Sequence, residues 1–75
     1  KRLILNAKFF FSLNYELREN ILVKGMKYVN DSSFQIRSKK IEYLLIKISK
    51  FQNIFLISNK TSINKINDKI IIKKV

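Results

Sequence analysis

Tyr15-Glu16-Leu17-Arg18-Glu19-Asn20-Ile21-Leu22-Val23-Lys24-Gly25-Met26-Lys27-Tyr28 is the stretch on which the fold turns. It is apolar and β-branched toward its end, and it holds Gly25, the one glycine of the chain. Read with a period of two, Ile21, Val23 and Gly25 lie on one side of a strand, with Leu22, Lys24 and Met26 on the other. A glycine inside a strand marks a bulge, a bend or the close approach of another backbone. The sequence therefore predicts a central strand over residues 15–29, irregular at Glu19-Asn20 and bent at Gly25.

On the N-terminal side, residues 1–13 read as a helix. Leu3, Ala7 and Phe10 share a stripe, Ile4 and Phe11 lie beside it, and Lys1, Arg2 and Lys8 are left for the other side. The run Phe9-Phe10-Phe11 also fits a strand. Asn14, a residue that tolerates the left-handed conformation, is placed to end the helix.

On the C-terminal side, Asn30-Asp31-Ser32-Ser33 supplies a turn, Phe34–Arg37 a short strand and Ser38-Lys39-Lys40 a connection. Residues 41–51 read as a second long strand, with Ile41, Tyr43, Leu45 and Lys47 on one face and Leu44, Ile46 and Ile48 on the other. Two largely apolar faces argue for a covered, central position. Ile54–Ile57 is a further strand, interrupted by Ser58-Asn59-Lys60-Thr61. Residues 62–66 are a weak edge. After Asn67-Asp68, residues 69–74 form a last strand fenced by lysines that guard against edge pairing. The expectation is a single α+β domain over residues 1–75: one N-terminal helix (1–13) packed on a small, mainly antiparallel sheet (15–75).

Seventy-five residues with 47% hydrophobic content make one small domain of marginal stability. With no cysteine and no histidine, disulfides are excluded and a structural metal is not expected, which leaves a large partner as the source of extra stability. Sixteen Lys and Arg against five Asp and Glu give a formal charge of +11, at a pI near 10.2. Nucleic acid is the first polyanion that such a chain would bind and an anionic membrane surface the second. The plain alternative is that the charge serves solubility. Lys, Ile and Asn fill 34 positions (13, 13 and 8), residues with AT-rich codons, so the composition points to an AT-rich genome, such as an organelle's or that of certain protists and bacteria. No apolar run approaches the roughly 18 residues that span a bilayer. Residues 1–13 have the basic start and apolar segment of a signal peptide without a small-residue cleavage site. Lacking an initiating Met, the chain reads as a processed product, a fragment, or the ordered part of something longer.

Catalysis has little to draw on. Glu16, Glu19, Asp31, Glu42 and Asp68 are scattered, and Glu16 and Glu19 balance Arg18 and Lys24 on a solvated surface. No glycine loop could cradle a phosphate. No catalytic, cofactor-binding or metal-binding residue is expected, and no cofactor or small-molecule substrate. What the chain offers is lysine interleaved with aromatics and amides, above all in Lys47-Ile48-Ser49-Lys50-Phe51-Gln52-Asn53, where Phe51 either stacks on a base or fills the core. The candidate RNA-binding residues are Lys24, Lys27, Lys39, Lys40, Lys47, Lys50, Lys73 and Lys74.

Several of these stretches, in this order, resemble the second domain of the large-subunit ribosomal protein L six family. Leu3-Ile4-Leu5-Asn6 followed by Phe10 to Tyr15 is similar to the family's Leu-Ile-x-Asn helix and its Gly-Val-x-x-Gly-Tyr ending, with Phe10 and Asn14 in place of the glycines. Ile21, Val23, Gly25 and Tyr28 match its Leu-x-Leu-x-Gly-x-Gly-Tyr strand, with Lys27 at the second glycine. Residues 46–53 resemble Leu-x-Leu-Gly-Tyr-Ser-His, and residues 68–74 the later Thr-x-Ile-x-Ile-x-Gly strand. The family's first domain, final helix and basic tail have no counterpart here. The resemblance implies a structural constituent of the ribosome that binds large-subunit rRNA and neighbouring ribosomal proteins, without catalysis. A divergent ribosome, mitochondrial before plastid or bacterial, is the implied location. The alternative from another class is a small accessory or assembly subunit of an organellar membrane complex, docked through an amphipathic helix at residues 1–13.

Overall fold

A computed structural model describes residues 1–31 and 36–75. Strand β1 (Arg2–Asn6) leads into a short helix α1 (Ala7–Ser12), then α2 (Tyr15–Asn30) and α3 (Ser38–Lys50), and the chain closes with three strands, β2 (Asn53–Ser58), β3 (Thr61–Ile66) and β4 (Lys69–Lys74). The strands form one antiparallel sheet in the order β1-β4-β3-β2. The α+β class is as expected, with helices packed on the sheet.

Three expected elements are corrected. The helix over residues 1–13 is a strand followed by six helical residues, because Leu3 and Leu5 pair across from Ile72 and Ile70 and face the core beside them. Asn6 then caps α1, its side chain accepting a hydrogen bond from the Phe9 amide at 3.0 Å. The central strand of residues 15–29 is a helix. Asn14, expected to end a helix in a left-handed turn, has extended backbone and starts one: its side chain accepts from the Leu17 amide at 2.9 Å. Leu22, Gly25, Met26 and Val29 recur at helical spacing and are the buried residues of α2. Asp31 ends the helix in the left-handed conformation, φ 55°. Residues 41–51, the other long strand of the sequence reading, form most of α3, where Ile41, Leu44, Leu45 and Ile48 repeat the same buried spacing. Ser32, Ser33, Phe34 and Gln35, the sites of the expected turn and of half the short strand, lie outside the described residues. Ile36 and Arg37 are not in a strand.

Gly25 is a point of close approach between helix and sheet rather than a bend. It has no positive φ; a Cβ built on it would meet Leu3 Cδ2 of β1 at 3.0 Å and Ile72 Cδ1 of β4 at 3.2 Å. The missing side chain lets α2 sink onto the sheet, and Leu22, Met26 and Val29 close over Ile63, Ile70 and Ile72 in one core.

The edge assignments also change. β3 and β4, read as an edge and a lysine-guarded edge, are the two central strands, and the true edges are β1 and β2. Alternation across the registers places Leu3, Leu5, Leu56, Ile63, Lys65, Ile70 and Ile72 on the helix side of the sheet. Ile4, Phe55, Ile57 and Ile66 fall on the open side, all exposed.

Candidate nucleic-acid surface

Once Ile41, Leu44, Leu45 and Ile48 turn inward, helical geometry forces Lys40, Tyr43, Lys47 and Lys50 onto a shared outer stripe, because residues three and four apart are neighbours. Lys40 and Lys47 each hold their ammonium group 5.5 Å from the centroid of the Tyr43 ring. Phe51, which follows the last turn, lies under Lys47 and Lys50, both at 5.7 Å. The stripe is thus a ladder in which cations alternate with two exposed aromatic rings, Tyr43 at 47% and Phe51 at 40% exposure. Phe51, which the sequence left between core and stacking surface, belongs to the surface.

The charges of α3 are unevenly matched to its dipole. Lys47 and Lys50 in the last turn sit favourably near the partial negative end. At the opposite end Arg37, the N-cap, makes no side-chain cap, the first turn has no acidic residue, and Lys39 and Lys40 add positive charge where the helix is already positive. An anion at this end would relieve an unfavourable arrangement. Among the described residues the one ion pair joins Lys1 Nζ to Asp31 at 3.1 Å, so the α3 lysines have no carboxylate partner.

Of the eight lysines expected to contact RNA, α3 gathers Lys39, Lys40, Lys47 and Lys50. Lys24 and Lys27 are on α2, exposed and half-buried respectively. Lys73 projects from the open face of the sheet, opposite Arg2 and Ser62, and Lys74 ends β4 opposite Thr61 on the other side. The eight do not form one patch. Sequence reasoning missed Tyr43 as a member of the ladder. The signal was the 40-43-47-50 spacing, hidden by reading the segment as a strand.

A groove of about 710 Å³ between α1 and the β3–β4 turn is lined by Lys8, Phe11, Gln52, Lys65 and Asp68, among others. It brings one carboxylate together with two ammonium groups, too little for paired acid–base work. Tyr15 has a phenol raised above its ordinary 10.0, through desolvation and then the nearby Glu19 and Glu42 carboxylates, which leaves it a weaker acid than a free tyrosine. Comparison with family models, curated proteins and solved structures returns no match to the chain.

Proposed function

We propose that the chain is a structural constituent of a ribosome, a large-subunit protein that binds rRNA through its basic surface and carries out no catalysis. The observation that carries this reading is the α3 ladder. Lys40, Lys47 and Lys50 present charges free of carboxylates along a helix face, with Tyr43 and Phe51 between them as platforms for unpaired bases. The formal charge of +11 supplies the non-specific attraction. The large subunit is proposed on the L six resemblance, which residues 69–74 support as a strand, whereas residues 21–28 stand in α2 instead of the strand that they match and residues 3–6, similar to the family's helix, stand in β1. The lost signature residues of that family, Phe10, Asn14 and Lys27 standing where it has glycine, favour a divergent ribosome, mitochondrial before plastid or bacterial.

The rival, a membrane-complex subunit, required an amphipathic helix at residues 1–13, and most of that segment's first half is β1, built into the sheet. Among the described residues no helix is long and apolar enough to cross a membrane. Sedimentation of the native protein tests the proposal: it should travel with the large ribosomal subunit and be released by high salt. Recovery with membranes, or in a free fraction at low salt, would refute it.

A further inference from the structure

We propose that the free edge of β2 is a docking site for an extended segment of a neighbouring protein, which joins the sheet as a fifth strand. The β2–β3 hairpin has a two-residue loop, Asn59-Lys60, with both residues at positive φ (52° and 59°). This makes Ser58 and Thr61 the closing hydrogen-bonded pair. Pairing alternates from there, so the backbone N–H and C=O groups of Ile57, Phe55 and Asn53 point away from β3, toward the open edge. Among the described residues no other backbone group bonds to them.

Proteins normally blunt such an edge with charge, proline or a bulge. β2 (Asn-Ile-Phe-Leu-Ile-Ser) has no charge and no proline, and its register with β3 runs unbroken over six pairs. The other edge, β1, begins with Arg2, next to Lys1. Phe55 and Ile57, 58% and 57% exposed, add apolar side chains on the open face beside the free backbone groups.

These features select the occupant. Alternating donors and acceptors along an edge are matched by another extended polypeptide; nucleic acid phosphates accept hydrogen bonds but offer no donors for the carbonyls. A second copy of this chain would bring +11 against +11. The occupant is therefore an uncharged or acidic strand with apolar residues at alternate positions, packed over Phe55 and Ile57. The inference is independent of RNA binding through α3, and each can fail alone.

Amide hydrogen exchange tests it, comparing the free chain with the native complex recovered from its source. The amides of Phe55 and Ile57 should exchange rapidly in the free chain and be slowed by at least about 100-fold in the complex, with the slowing retained after nuclease digestion. Ile57→Pro removes an outward N–H at an edge position where proline is tolerated; it should leave the free fold intact and abolish assembly, whereas Ile57→Thr should assemble. Four results would overturn the proposal: unchanged exchange in the complex, protection lost with the RNA, the same protection arising through self-association of the free chain, or normal assembly of Ile57→Pro.

Discussion

The Lys65 ammonium donates a 2.8 Å hydrogen bond to the carbonyl oxygen of Ile48, and this contact fastens the end of α3 to the centre of the sheet. Ile48 lies in the last turn of the helix, where carbonyls lack intrahelical partners, and a cation there also meets the negative end of the dipole. Lys65 is 8% exposed, and its charge lies 4.7 Å from the centroid of the Phe11 ring. One side chain of β3 thus joins α1 and α3.

Replacing it should be costly. Lys65→Met keeps much of the volume but leaves the Ile48 carbonyl without its donor, an expected loss of about 1–3 kcal/mol. Chemical denaturation would show this as a lower midpoint at unchanged slope, and hydrogen exchange should quicken in the last turn of α3. An unaltered midpoint would mean that water satisfies the carbonyl equally well.

Gly25 separates two effects that act in opposite directions. Gly25→Ala gains about 1 kcal/mol of helix propensity while pressing a methyl group against Leu3 and Ile72, so its stability should stay within about 1 kcal/mol of the parent. Gly25→Val adds bulk that the interface cannot absorb and a β-branch that helices disfavour, and should lose about 2 kcal/mol or more. Equal denaturation midpoints for the Val variant and the parent would contradict the close packing of α2 on the sheet.

Lys60 occupies a left-handed position, φ 59°, in the β2–β3 turn, where a Cβ costs energy that glycine avoids. Lys60→Gly, set against the extra entropy of glycine in the unfolded chain, should stabilise the domain by about 0.5–1 kcal/mol. A melting temperature raised by a few degrees is the expected reading, and a lowered one would contradict the turn geometry.

Tyr43 distinguishes a stacking platform from a mere spacer between lysines. Tyr43→Ala should weaken binding to single-stranded RNA by about 1–3 kcal/mol, with the salt dependence kept, and Tyr43→Phe should bind nearly as the parent does. Equal affinity of Tyr43→Ala and the parent for RNA would confine the role of the ring to holding Lys40 and Lys47.

The sequence revealed the α+β class, the C-terminal strands and the importance of Gly25, but not the two long helices. Ile21, Val23 and Gly25 satisfy a period of two, and Leu22, Gly25, Met26 and Val29 satisfy a helical one. The abundance of isoleucine, which an AT-rich genome favours, tipped the reading toward strand. Asn14 with Glu16 two residues on was the overlooked start signal, since a side-chain acceptor and an acid in the first turn both favour a helix N-terminus. Burial overrode propensity in the same way at Ile41 and Ile48. The lysines of the candidate surface were visible in the sequence, whereas their grouping with Tyr43 emerges only from helical spacing. Lys65 was invisible as a core residue because a lone lysine in a strand usually faces water; its position two residues after Ile63 was the available clue.

The most direct test of RNA binding through α3 is the salt dependence of affinity for large-subunit rRNA, compared between the parent chain and a variant with Lys40, Lys47 and Lys50 each changed to Gln. Each lysine that neutralises a phosphate contributes about 0.7–0.9 to the slope of log affinity against log salt. The account predicts a steep decline for the parent and a slope shallower by about 2–3 for the variant. Parallel slopes would show that these lysines make no phosphate contacts, contradicting the α3 surface, and a flat response from the parent chain would contradict RNA binding altogether.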